Sequence, residues 1–190
     1  MTALDRRQQK TRVAIFEAFT ELLTEKSYNK ITVQEIIEKA NIGRSTFYAH
    51  FETRDDLIKA LCDDLFGHVF SKALEAEKTH DFSLSESGYH VVAVHILYHL
   101  RDSKRTVAAL LTGESSLFLK YLKQYLHQYI TKYLLAGAKK QSGLPDEFLI
   151  NHITYAFVGM LMWWIKDNWK QPPEEMACYF EKTVMPLLNG

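Results

Sequence analysis

An all-α fold of about nine helices follows from three features of this 190-residue chain. It holds only eight glycines and four prolines, so few positions interrupt a helix. Apolar residues recur at spacings of three and four through most of its length, and no stretch sustains the alternation of a half-buried strand. With 47% hydrophobic and 24% charged residues, the chain is long enough for one large domain or a small one fused to a larger.

The first helix is expected over Asp5 to Glu25, with Val13, Phe16, Phe19, Leu22 and Leu23 inward and the basic residues gathered at its outer end. Ser27 to Lys30 break it, and Tyr28 and Ile31 anchor the approach to the next element. Thr32 with Glu35 three positions on forms the reciprocal pattern in which each side chain satisfies a free backbone amide of the other residue. A helix therefore starts there, with Ile36, Ile37 and Ala40 as its apolar face. Asn41-Ile42-Gly43 supplies a sharp reversal, placed by Gly43. Phe47 and Phe51 then point inward, leaving Arg44, Ser45, Thr46, Tyr48 and His50 for the other faces.

A long fourth helix is expected from Arg54 to about Lys78, and Thr79 to Ser87 read as a connection. Helices follow at Tyr89 to Leu100, Lys104 to Leu111 and Leu117 to Leu135, the last with a wide tyrosine-rich stripe opposite lysines. Gln141 to Pro145 is a break, with Pro145 suited to the first turn of a helix reaching about Trp169. That helix is apolar nearly all round and must be covered on more than one side, with Gly159 permitting close approach of a neighbour. Pro172-Pro173 resets the chain before a last stripe from Met176 to Leu188.

Charge alone names no partner, because 23 cations balance 23 anions. A DNA-binding role has to rest on local charge, and between Met1 and Val13 there are Arg6, Arg7, Lys10 and Arg12 against Asp5 alone. Cys62 and Cys178 lie far apart without metal-ligand spacing, so they read as free thiols. The longest apolar stretch, Ile153 to Ile165, is too short to span a bilayer, and no apolar signal core opens the chain; a cytoplasmic protein is expected.

Two short helices around a tight turn, the second crowded with small polar groups, are how a helix-turn-helix looks. The run Gly43-Arg44-Ser45-Thr46-Phe47-Tyr48-Ala49-His50-Phe51, with the amphipathic helix before it and the capped Thr53-Arg54-Asp55-Asp56-Leu57 after it, resembles the DNA-binding domain of the TetR family of bacterial transcriptional regulators. The resemblance covers about the first third of the chain. It implies a helix-turn-helix domain over residues 1–53 and a helical regulatory and dimerisation domain over 54–190. Arg44 would read base edges in the major groove, with Ser45 and Thr46 on bases or phosphates. Tyr48 and His50 match positions that hold the sugar-phosphate backbone, Arg54 matches a frequent phosphate ligand, and Thr32, Val33 and Gln34 open a helix whose free amides favour a phosphate.

The same resemblance implies a homodimeric repressor on a palindromic double-stranded DNA operator, released by a small effector that shifts the fourth helix. Phe157, Leu161, Trp164, Phe180, Val184 and Leu187 are the expected dimer interface. His95, His99, Phe118, Tyr121, Tyr125, Tyr155 and Trp163 are the candidate lining of a pocket for a hydrophobic or aromatic molecule, although the same side chains fit a plain core. His95 and His99, four apart, could face one metal ion, but no third ligand lies nearby and no metal or cofactor is assigned. No phosphate loop or nucleophile elbow is present, so catalysis is not expected. A second reading keeps the scaffold and makes the chain a coactivator or adaptor whose second domain binds a protein; a third, weaker one is a helical enzyme or carrier.

Overall fold

The computed structural model describes residues 3–66, 88–112, 116–136 and 143–189. Among these the architecture is all-α: α1 (Ala3–Glu25), α2 (Val33–Lys39), α3 (Arg44–Tyr48), α4 (Arg54–Phe66), α5 (Gly88–Asp102), α6 (Lys104–Thr112), α7 (Ser116–Tyr129), α8 (Asp146–Lys166) and α9 (Pro173–Asn189). A short 3-10 turn covers Tyr28–Lys30, and α7 runs on as a π-helical stretch over Ile130–Leu135. The expected continuation of the fourth helix to Lys78, and the connection after it, lie outside the described residues.

By packing, the chain divides differently from the expected 1–53 and 54–190. One unit comprises residues 1–63 together with 105–119, and the other comprises 64–104 with 120–190. The reason is burial: Leu57, Ile58 and Cys62 of α4 are fully buried, as are Val107 and Leu110 of α6. Thr106 of α6 hydrogen-bonds Thr20 of α1 through their hydroxyls at 3.0 Å.

The first unit closes around Ile15, Phe19, Tyr28, Ile31, Ile36, Phe47 and Phe51. Lys39 ties α2 to the end of α1 by ion pairs to Glu25 at 2.6 Å and Glu21 at 3.1 Å. Burial pushes the Cys62 thiol up to about 12, with the Asp63 charge adding to the effect. Cys62 is therefore expected to stay unmodified by a thiol reagent at pH 8 until denaturant opens the fold, because the thiolate is the nucleophile. Timed labelling followed by mass spectrometry checks this, and rapid labelling of native protein at Cys62 would contradict it.

In the second unit α9 packs on α5 and α8, and the π-helical stretch packs on α5 and α8. Tyr129, at the π-helical junction, is fully buried and donates its hydroxyl to the Tyr89 carbonyl at 3.1 Å. His90 meets Glu181 of α9 at 2.7 Å. α8 ends at Lys166 rather than Trp169, because Asn168 and Trp169 take left-handed backbone, φ 56° and 57°. The Trp164 indole N–H then reaches the Gln171 carbonyl at 3.1 Å, and the Trp164 and Trp169 rings lie 4.7 Å apart.

The apolar stretch 153–165 was expected to be too short to span a bilayer, but α8 around it is, by length and composition alone, sufficient to cross one. Its seam of Leu149, Ile153, Phe157, Leu161 and Trp164 is buried within the protein, as in a core helix.

Candidate nucleic-acid interface

The site is built from the cap of α2 upward. Thr32 Oγ1 accepts the Glu35 N–H at 3.3 Å, and the Glu35 carboxylate accepts the Thr32 N–H at 2.9 Å, the expected capping box. Lys26 also meets Glu35, and this contact, with the bonds from Thr32, holds that carboxyl down at about 2. Gln34 turns its amide to Glu38 at 2.8 Å, Thr32 is exposed, and Val33 is half-buried.

The turn is made differently from the expectation. Asn41 takes the left-handed conformation, φ 51°, whereas Gly43 is extended at φ −74°, ψ 151° and serves as the N-cap of α3. Asparagine tolerates this region because its short polar side chain substitutes for local hydrogen bonding. A Cβ on Gly43 would meet only ordinary contacts, at 3.5 Å from Thr46 Oγ1. The turn therefore depends on Asn41.

α3 is a short element held from below. Phe47 is fully buried and Phe51 nearly so, their rings 6.0 Å apart, and Phe16 of α1 meets Phe51 at 5.7 Å. With those two rings inward, Arg44, Ser45 and Tyr48 are exposed, Tyr48 at 46%, while Thr46 and His50 are half-buried. The Tyr48 ring stands edge-on to Phe47 at 5.5 Å, and His50 packs by Phe51. This brings Arg44, Ser45, Thr46, Tyr48 and His50 together on one short segment, packed against α2.

Arg54 is placed elsewhere. Its Nη1 donates to the carbonyls of Tyr28 at 3.0 Å, Asn29 at 3.2 Å and Ile31 at 2.6 Å, and its guanidinium lies 4.5 Å from the Tyr28 ring centre. Asp55 engages the Tyr28 hydroxyl and stands 3.8 Å from Arg54 Nε. The guanidinium thus fastens α4 to the 3-10 turn, a different use from the expected phosphate contact. Arg54→Ala is expected to lower the unfolding free energy by about 1.5–3 kcal/mol, the range for hydrogen bonds to a charged group, and to leave the salt dependence of DNA binding unchanged. Urea unfolding beside a salt titration checks both parts. Lys30, exposed two residues before Thr32 and without an ion pair among the described residues, is a cation the sequence reading passed over; its position ahead of a capped helix was the available signal.

Of the pocket candidates, Phe118, Tyr121 and Tyr125 lie along α7, His95 and His99 on α5, and Tyr155 and Trp163 on α8. Phe118 is fully buried with the first unit, whereas Tyr121 and Tyr125 are half-buried in the second, where Tyr125 packs 5.3 Å from Phe66. Tyr155 and Trp163 are about half exposed on the outer face of α8. His95 is fully buried, and its Nε2 lies 2.7 Å from Nε2 of His99. Among the described residues no group of three or more His, Cys, Asp or Glu side chains could hold a metal. The expected dimer residues Phe157, Leu161, Trp164, Phe180 and Val184 are all buried in the chain's own interior, and Leu187 is half-buried.

A capped helix, a tight turn and a second helix with its aromatics inward and its polar groups outward define a helix-turn-helix protein. Residues 15–61 match the family model described as bacterial regulatory proteins, tetR family, and residues 89–185 match the C-terminal region of a transcriptional regulator in a model of the same series. A TetR transcriptional regulator from Streptococcus agalactiae has 35% sequence identity and a TM-score of 0.72, over 95% of this chain and 96% of that one. The chain belongs to the TetR family. An uncharacterized HTH-type transcriptional regulator from Bacillus subtilis, YxbF, is 26% identical over 185 residues, and this chain spans 45% of that relative's length. RolR in complex with the ligand resorcinol shares the fold at 20% identity and a TM-score of 0.50, covering 95% of this chain and 90% of that one.

Proposed function

We propose that this chain is a sequence-specific DNA-binding transcriptional regulator that acts as a homodimer in the bacterial cytoplasm. The observation that carries this reading is the sorting of residues 44–51, with Phe47 and Phe51 buried while Arg44, Ser45 and Tyr48 are exposed. Arg44 is the base reader, since a guanidinium makes two parallel hydrogen bonds to guanine. Ser45 and Thr46 add short donors and acceptors, and Tyr48, His50 and the start of α2 from Thr32 to Gln34 hold the sugar-phosphate backbone and set register.

The dimer forms through the outward stripe of α8. Phe148, Tyr155 and Met162 recur at spacings of seven, Trp163 stands beside them, and all are 39% to 54% exposed. Gly159 lies on the same stripe with nothing within 4 Å of where a Cβ would stand, leaving room for a second helix to approach. Two copies related by a two-fold axis read two half-sites about one helical turn, or a multiple, apart. Seated on its operator, such a dimer acts as a repressor, and a small aromatic or hydrophobic effector bound in the second unit releases it. The resorcinol complex of RolR supports an effector of that chemistry.

Selecting bound fragments from random DNA at moderate salt tests the reading. The expected result is one enriched palindrome, and a pool that stays random would refute sequence-specific binding.

A further inference from the structure

We infer that the first turns of α1 form a second DNA-contact element, a group of cations that grips phosphates flanking the sequence read by α3. The inference rests on the DNA-binding reading above and assigns residues outside the helix-turn-helix.

Arg6, Arg7 and Lys10 are exposed, and among the described residues none of the ion pairs involves them. Elsewhere in the first unit several cations are already committed: Lys26 to Glu35, Lys39 to Glu21 and Glu25, and Arg54 to three carbonyls. Since the chain carries no net charge, attraction to a polyanion has to come from local groups left without a counter-charge.

The Arg12 guanidinium lies 5.0 Å from the Phe16 ring centre and 5.6 Å from that of Phe51, and Phe51 packs on Phe47 of α3. α1 is therefore fastened beside the end of the recognition segment at Arg12 and Phe16, and its earlier turns extend past that point. Arg6 lies six residues before Arg12, about 9 Å farther along the helix axis.

An open groove of about 360 Å³ follows this part of α1, lined by Arg6, Gln9, Lys10, Val13, Ala14 and Glu17. Its start is cationic, with an amide donor at Gln9, and the Glu17 carboxylate closes it two turns on. A phosphodiester strand suits that order of charges. Duplex DNA presents one phosphate charge per about 1.7 Å of axis, so such cations find phosphates whatever the flanking sequence and add affinity without adding discrimination.

The test uses the full chain and the triple variant Arg6→Gln, Arg7→Gln, Lys10→Gln, with circular dichroism and thermal unfolding confirming an unchanged fold. Binding is followed from 50 to 200 mM salt on two duplexes, the selected operator alone and the operator with about 10 further base pairs on each side. At about 0.9 per phosphate contact, three contacts make the slope of log K against log salt shallower by about 2.7 per protomer in the variant. Trimming the flanks is expected to weaken the wild type and leave the variant unaffected, with the ranking of operator variants the same in both proteins. A variant with the wild-type slope and the wild-type response to trimming overturns the inference and leaves α1 with a solvated charged end. A changed ranking overturns it too, since the cations would then be reading bases. A wild-type chain that binds neither duplex overturns this inference and the DNA-binding reading together.

Discussion

Phe47→Ala is expected to remove operator binding by dissolving the support of α3, at a cost of about 3–5 kcal/mol in unfolding free energy. Phe47 has no exposed surface, and its ring is held by Phe51 and by the edge contact with Tyr48. A domain stable by about 5–15 kcal/mol loses much of its margin with that one ring. Arg44→Ala is the matched control. Arg44 is exposed and makes no ion pair among the described residues, so its truncation is expected to leave the urea midpoint in place. The loss there falls on discrimination, about 1–3 kcal/mol between the operator and a sequence altered at the contacted base. Unfolding curves and operator titrations on both variants separate the two roles. A Phe47→Ala protein with wild-type stability and no DNA binding would place the ring on the wrong side of the argument.

The contrast marks what the sequence made legible. Which residues of the helix-turn-helix face inward was readable from spacing, because Phe47 in α3 and Phe51 just past its end stand four apart, the offset that brings two side chains to one side. The cap at Thr32 and Glu35 was readable because it is a local reciprocal bond with a fixed offset. The turn residue was not, since Asn41 and Gly43 both tolerate unusual backbone and nothing local chooses between them; the structure assigns the left-handed position to Asn41. The packing role of Arg54 was not legible for a related reason. Its partners are the carbonyls of residues 28, 29 and 31, which carry no side-chain signature and lie more than twenty positions away. Periodicity also failed on α8, because a helix apolar nearly all round does not declare which side turns inward. Burial settles it: Leu149, Ile153, Phe157, Leu161 and Trp164 are inside, and Phe148, Tyr155, Met162 and Trp163 are outside.

That division makes two adjacent tryptophans opposite in their expected effects. Trp164 is fully enclosed, with its indole N–H on the Gln171 carbonyl and its ring by Trp169, so Trp164→Ala is expected to cost about 3–5 kcal/mol and act on folding. Trp163 is 48% exposed, and Trp163→Asp removes little internal packing. It sets a carboxylate within the outward stripe of Phe148, Tyr155 and Met162, where pairing with a second copy would bring two like charges together and strip both of water. The variant is expected to sediment as a folded monomer with wild-type helix content. Its operator affinity should fall by about 10²–10⁴, the advantage a second linked reading head confers, while each half-site is still recognised weakly by the intact α3. Sedimentation velocity and binding to full and half operators measure these effects directly. A Trp163→Asp protein that remains a dimer of undiminished affinity would move the interface off this stripe, and the apolar face of α8 would then need another explanation.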